Sequence, residues 1–287
     1  MKKLIAIDLD GTLLSSNLDI SVENITAIQK AQEAGHIVMI CSGRAPEDIQ
    51  KVLINTPLQC PLAGSNGTVV IVDGEKLSEV SIAKESVRTI ANVLESNKSP
   101  FKLYTNKGIY VQKHFSTRIS NVLENDQKLT EHFTEKEIKF MTETPVESET
   151  VTLFEEIEEV LQVENIAVQK FFISTFVGKE ELTSTLSNQL EDISITTSGP
   201  YNIEIMDRSG HKGNGLKVIA EHYQIDIENT VAIGDNFNDV PMLKLAGLSI
   251  AMGNGDPTVK EMADQITLTN DQHGVAVAIK KYVLNQS

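Results

Sequence analysis

The sequence predicts an α/β protein, a parallel sheet with helical crossovers that is split by an inserted α+β segment. Three observations predict it. Short apolar runs alternate with stretches of helical spacing at both ends of the chain, several of those runs end in polar, glycine-bearing loops, and the rhythm breaks in the middle. Lys3–Asp8 is an apolar run feeding Asp8-Leu9-Asp10-Gly11-Thr12, so it reads as a buried strand and its loop. Asp8 and Asp10 interrupt the apolar stretch, which favours a first strand over a leader peptide. Ser21–Gly35 carries Val22, Ile25, Ile28 and Ala31 near helical spacing, and Gly35 stops it. His36–Cys41 is a second strand, followed by Ser42-Gly43-Arg44 and by a helix that Pro46 can open and that runs to about Ile54.

The C-terminal part repeats the pattern. Helices are expected over Lys212–Tyr223, Val240–Ala246, Pro257–Ala263 and Gly274–Val283, and strands over Thr230–Gly234, Leu248–Met252 and Gln265–Leu268. Strand and helix in this order imply right-handed crossovers in one parallel sheet. Between Ala83 and Ile193 polar stretches lengthen. Helices at Ser86–Leu94 and Glu180–Leu190, and strands at Phe101–Tyr104, Ile109–Gln112 and Lys170–Phe176, mark that region as an inserted α+β domain. Glu131–Glu137 and Glu143–Glu149 read as acidic connections. The expected division is residues 1–82 with 194–287 as the core, and 83–193 as the insertion.

Composition narrows the function. The chain has 287 residues, 40% of them hydrophobic, enough for one large or two moderate packed domains. Its net charge is −15, with 40 acidic against 25 basic residues, which argues against a nucleic-acid partner that would need its phosphates neutralised. No apolar run approaches a membrane span. Cys41 and Cys60 have no metal-ligand spacing and read as reduced, half-buried thiols of a cytoplasmic protein.

The chemistry gathers at predicted strand ends. Asp8 and Asp10 flank one apolar residue, and a loop that starts at Leu9 lets both carboxylates turn to one site, with Gly11 supplying backbone freedom. Gly234-Asp235-Asn236-Phe237-Asn238-Asp239 adds two carboxylates and two amides after another short strand. Each motif alone could be a capped turn. Together, four carboxylates at the ends of parallel strands suggest a magnesium site, since magnesium favours oxygen ligands and offsets their mutual repulsion. Ser42-Gly43-Arg44 offers a hydroxyl, backbone N–H groups and a guanidinium, and Lys212 an ammonium at a helix start, all suited to a phosphate.

In order along the chain, Asp8-Leu9-Asp10-Gly11-Thr12, Ser42-Gly43, Lys212 and Gly234-Asp235-Asn236-Phe237-Asn238-Asp239 resemble the four motifs of the haloacid dehalogenase-like superfamily. Ser65-Asn66-Gly67, Met242-Leu243 with Ala246-Gly247, and Ala251-Met252-Gly253-Asn254-Gly255 resemble its Cof-type phosphatases. The resemblance implies a Rossmann-like parallel-sheet core, an inserted α+β cap that sets substrate specificity, and hydrolysis of small phosphorylated metabolites through an aspartyl-phosphate. It implies Asp8 as nucleophile, Asp10 as general acid/base, and magnesium held by Asp8, the Asp10 carbonyl and Asp235, with Asp239 supporting the metal or Lys212. Ser42, Gly43, Lys212 and Asn238 would hold the phosphoryl group, with Arg44 beside them. His211 departs from the pattern, standing where Ser often precedes the motif Lys. A phosphomutase sharing the intermediate and a non-catalytic phospho-ligand-binding protein are the alternatives.

Overall fold

The computed structural model of the protein describes residues 1–286, with the side chain of Gln127 left aside. In chain order the first part runs β1 (Leu4–Ile7), α1 (Val22–Glu33), β2 (Ile37–Cys41), α2 (Pro46–Leu53), β3 (Leu62–Gly64), β4 (Val69–Val72) and β5 (Glu75–Glu79). Then come α3 (Lys84–Ser96), β6 (Phe101–Thr105), β7 (Gly108–Gln112), α4 (Phe115–Asn125), α5 (Gln127–Thr130), α6 (Glu135–Thr142), β8 (Val151–Phe154), α7 (Ile157–Leu161), β9 (Val168–Ser174), α8 (Lys179–Gln189), β10 (Ile193–Thr196) and β11 (Asn202–Asp207). The chain closes with α9 (Lys212–His222), β12 (Thr230–Gly234), α10 (Val240–Leu245), β13 (Leu248–Ala251), α11 (Pro257–Met262), β14 (Gln265–Ile266) and α12 (Gly274–Ala278).

Two compact units result, Met1–Val80 with Gly210–Ser287, and Ser81–Ser209. The first is built on a sheet of order β14-β13-β12-β1-β2-β3-β4-β5, parallel from β14 to β3 and antiparallel at β4 and β5. Alternation along β1 explains its unbroken apolar sequence. Ile5 and Ile7 join the cluster under α1, α2 and α12, while Leu4 and Ala6 join the one under α9 and α10, so both faces are buried. Local signals set the helix starts. Ser21 accepts a hydrogen bond from the Asn24 N–H ahead of α1, and Pro46 occupies the first turn of α2. The chain leaves β1 toward β2 on one side and returns through β12 on the other, so the strand order reverses beside β1. Such a reversal opens a crevice at the carboxyl ends of the strands. The sheet's outer edges are a two-residue strand, β14, and the charged, exposed β5, where Lys76 pairs with Glu79.

The second unit has its own core. Its sheet runs β10-β11-β9-β6-β7-β8, antiparallel apart from the β7–β8 pair. Phe101, Leu103, Phe171, Ile173, Ile203 and Ile205 pack on α3, α7 and α8. The sequence reading returned the chain to the core at residue 194. Instead β10 and β11 stay in the inserted sheet, because β11 pairs with both β9 and β10 and buries Ile203 and Ile205, which moves the return to Gly210. Strands β3 and β8, the hairpin β4–β5 and the helices α4 to α7 have no counterpart among the elements expected from sequence. The acidic stretch around Glu135 is a helix whose start is fixed by a reciprocal Thr134–Glu137 capping box.

This division is testable. A fragment of residues 81–209 is expected to melt cooperatively in circular dichroism, whereas a fragment ending at residue 193 loses β10 and β11, uncovers β9 and does not.

Candidate active site

Asp8 stands one residue beyond β1, and its backbone N–H still donates to the Ile233 carbonyl of β12 at 3.0 Å. The chain then makes a wide turn closed by Leu13 N–H to Asp8 O and Leu14 N–H to Leu9 O, at 3.2 and 2.9 Å. Gly11 permits it, with φ +75° and a Cα against the Asp235 carboxylate. A Cβ there would lie 2.6 Å from Asp235 Oδ2, so both the backbone angle and the space require glycine. Thr12 Oγ1 donates to Asp235 Oδ1 at 2.8 Å and ties the first loop to the one after β12. Asn254 adds a further tie, donating from Nδ2 to the Gly11 carbonyl at 2.8 Å.

Lys212 is fully buried between two carboxylates. Its Nζ lies 2.5 Å from Asp8 Oδ1 and 2.5 Å from Asp239 Oδ1. The other oxygen of Asp239 accepts from the backbone N–H groups of Asp235 and Asn236 at 2.8 and 3.0 Å. His211 caps α9, its Nδ1 accepting from the Asn214 N–H at 3.1 Å. Burial lowers the His211 pKa, which keeps the ring neutral and that nitrogen an acceptor.

Carboxylate oxygens of Asp8, Asp235 and Asp239 lie within 4.8 Å of one another. Burial, then the charge of Asp239, raises Asp8 well above the ordinary carboxylate range, with Lys212 opposing. The same two causes push Asp235 up to about 6. Lys212 is raised by the carboxylates on either side against the effect of its own burial. This oxygen-only cluster has more negative than positive charge and fits a hard divalent cation. Because both Asp239 oxygens are engaged, Asp8 and Asp235 have the freer oxygens for it.

Not every predicted residue joins the cluster. The Asp10 side chain is half exposed and turns to Arg44, whose Nε donates to Oδ2 at 2.8 Å while Nη2 reaches Oδ1. Hydrogen bonding to Asp10 raises the Arg44 pKa. The expectation that Arg44 flanks the phosphoryl group thus meets a guanidinium already engaged by a carboxylate. Ser42 is buried, and its Oγ accepts from the Arg44 N–H at 3.2 Å. Asn238 is buried and donates to Asn66 Oδ1 at 3.3 Å. Cys41 is fully buried rather than half-buried, and desolvation raises its thiol pKa, so it is inert. Cys60 is partly buried and pushed up to about 12.

The chain matches the haloacid dehalogenase-like hydrolase family over residues 5–279. It belongs to that family. Among similar proteins, a Bacillus subtilis phosphatase, YwpJ, is 31% identical over 97% of this chain and 99% of its own. The B. subtilis 5-amino-6-(5-phospho-D-ribitylamino)uracil phosphatase YwtE is 30% identical over 99% of each chain. The solved structure of a B. subtilis haloacid dehalogenase-like hydrolase superposes with a TM-score of 0.83 at 30% identity, covering 98% of this chain and 100% of that one. The chain is accordingly a phosphoric monoester hydrolase with the α/β core and inserted α+β cap of this family. No helix among the described residues is long and apolar enough to cross a membrane.

The cap contains a cavity of about 640 Å³ lined by Lys102, Phe115, Phe140, Phe172, Phe176 and Tyr201 among others. Lys102 stacks over Phe172, 4.8 Å from the ring centre. Elsewhere in this unit Lys113 pairs with Glu155 and Arg118 with Glu95. A larger cleft in the core, about 1040 Å³ near His36, Cys60 and Tyr223, holds none of the predicted site residues.

Gly11→Ala is expected to lower phosphatase kcat/KM by about 100-fold, because an ångström-scale shift of Asp235 relative to Asp8 follows. Steady-state kinetics and a thermal melt check it, with a stability loss of at least about 1 kcal/mol from the positive φ.

Proposed function

We propose that this hydrolase is a magnesium-dependent phosphatase of small phosphorylated metabolites, sugar phosphates and related polyol phosphates, acting through an aspartyl-phosphate on Asp8. The observation that carries the reading is Asp8 itself. It is a buried carboxylate at the strand-order reversal, with one oxygen on Lys212 and with Asp235 close enough to share a cation. Asp8 and Asp235 would hold magnesium, with the Asp10 main-chain carbonyl as the third protein ligand and Asp239 supporting from behind. When bound, the ion supplies charge neutralisation, which eases the approach of an anionic phosphate to an anionic nucleophile.

In this reading an Asp8 oxygen attacks phosphorus in line with the leaving alkoxide, forming an O–P bond as the ester O–P bond breaks. Asp10, the solvent-reachable carboxyl, gives the alkoxide its proton. It then takes a proton from the water that attacks the aspartyl-phosphate, releasing inorganic phosphate and restoring Asp8. For that role Asp10 must exchange its hydrogen bonds with Arg44 for one to the leaving oxygen, and its exposure permits this. Lys212 stays between Asp8 and Asp239 and stabilises charge on the phosphoryl oxygens, joined by the Ser42 hydroxyl, the Gly43 and Arg44 segment, and the Asn238 amide.

The cap would select the leaving group, with its aromatic cavity and Lys102 offering stacking and a cation. The named substrate of YwtE, a phosphorylated ribityl chain on a uracil ring, belongs to a class that such a surface can hold. The acidic surface favours small substrates over a nucleic acid, and the composition and reduced thiols favour the cytoplasm.

The experiment is phosphate release from a panel of sugar and polyol phosphates, nucleotides and an aryl phosphate, with and without magnesium. Asp8→Asn is expected to fold and to lose on the order of 10⁴-fold or more of the turnover. Wild-type-like turnover by that variant would overturn the assignment, as would release of phosphate that ignores both magnesium and chelators.

A pH prediction follows from the same carboxylates. Asp235 is raised from 3.8 to about 6 in the metal-free protein, so the native state keeps a proton there that the unfolded chain has lost. That stabilises the metal-free fold at low pH, and the contribution declines as pH rises through about 6. A cation must displace the proton. Magnesium affinity measured by calorimetry is therefore expected to fall below pH 6, by about tenfold per pH unit for each proton displaced.

A further inference from the structure

One segment beside the site has no role in the reading above. Ser65, Asn66 and Gly67 follow β3, and all three have positive φ, at +49°, +61° and +84°. Two consecutive non-glycine residues in the left-handed region cost about 1–2 kcal/mol each, less for asparagine, and persist only where their surroundings hold them there. The surroundings are the loops that carry the chemistry. The Ser65 N–H donates to the Arg44 carbonyl at 2.7 Å, and the Asn66 N–H donates to the Ser42 carbonyl at 2.8 Å. Asn66 is only 1% exposed, and its Oδ1 accepts from Asn238 Nδ2 at 3.3 Å. Gly67 presses on the start of α9, where a Cβ would sit 2.5 Å from the His211 carbonyl. One kinked turn thus reaches the Ser42 loop, the Asn238 loop and the residue before Lys212.

We propose that Asn66 is a positioning residue that orients the Asn238 amide and the Ser42 peptide toward the phosphoryl group. The inference rests on the proposed reading of Ser42 and Asn238 as phosphoryl contacts. An asparagine amide turns in a broad, nearly two-fold torsional well, so packing alone does not decide whether Asn238 shows its NH₂ or its carbonyl to an anion. The Asn66 acceptor decides it. With one Nδ2 hydrogen committed to Asn66, the second lies in the same amide plane and is left to donate. The carbonyl, which would repel a phosphate, is turned away. On the Ser42 side, Asn66 holds the peptide carbonyl and the Arg44 N–H takes a lone pair of Oγ, which leaves the hydroxyl hydrogen to donate. The left-handed backbone at Asn66 is what lets one residue direct its N–H to one loop and its side chain to the other.

The test is a double-mutant cycle on the intact enzyme. Asn66→Gly keeps the backbone freedom and deletes the amide. It is expected to lower kcat/KM by about 10- to 100-fold, and to weaken inhibition by inorganic phosphate by a similar factor. In an Asn238→Ala background the same change is expected to cost less than about twofold, because the group it orients is gone. Asn66→Asp, isosteric and tolerant of positive φ, retains an acceptor, so Asn238→Ala should still cost about tenfold or more beside it. Additive losses in the cycle, a wild-type-like Asn66→Gly enzyme, or loss of the coupling in Asn66→Asp would each overturn the proposal. A failed phosphatase reading would look different, since the wild type would then release no phosphate at all.

Discussion

The structure turns on the burial of the Lys212 ammonium between Asp8 and Asp239. A charge taken wholly out of water costs several kcal/mol unless its partners are close and themselves satisfied. Here they are. Asp239 spends its second oxygen on two backbone N–H groups, which fixes the turn after β12, and α9 delivers Lys212 from a helix start that His211 caps. Asp8 is thereby pinned at the end of β1 by a contact spanning more than two hundred residues of sequence. Losing Lys212 would leave Asp8 and Asp239 facing each other in the core with no cation between them, so this cluster and the fold are constrained together.

That ammonium does not balance the site. Asp8, Asp235 and Asp239 converge there, and burial, then the charge of Asp239, raises the pKa values of Asp8 and Asp235. Such a cluster resolves its repulsion either by holding protons or by binding a cation. The first keeps the metal-free fold comfortable in mild acid, and the second lowers the negative charge that an anionic phosphate would meet. A chain with net charge −15 can in this way accept a phosphate, because the positive potential is supplied locally, where the reaction occurs.

Most of the parallel sheet was legible because its central strands are buried on both faces and read as unbroken apolar runs, as in Leu4–Ile7 and Ile37–Cys41, whereas the three-residue β3 was not expected. The edge hairpin was not, since β5 reads Glu-Lys-Leu-Ser-Glu and looks like a loop until β4 pairs with it. The insertion's end was missed for a related reason. The intermediate burial of Ile193–Thr196 gives no strong pattern, and only the long-range pairing of β11 with β9 shows where the strand belongs. In the site, residue types at strand ends pointed to Asp8, Asp235, Lys212 and Asp239, which the fold brings together. Sequence could not foresee that Asp10 would turn to Arg44, because that pairing depends on side-chain torsions in two loops far apart in the chain. Asn66 had a local signal, an asparagine before a glycine after a short strand. Its reach to Asn238 is purely tertiary.

The ends of the core sheet have a consequence of their own. A sheet edge is a row of unsatisfied hydrogen-bonding groups, and any extended chain can complete it. At one side the last strand is only Gln265–Ile266, too short to template a lasting ladder. At the other, β5 lines its edge with Glu75, Lys76 and Glu79, so an approaching strand would have to strip water from several charges. A crowded cell offers many such strands, on nascent and damaged chains alike. This core can sit among them without recruiting them, and at one edge the protection lies in β5, a stretch of sequence that reads as a loop.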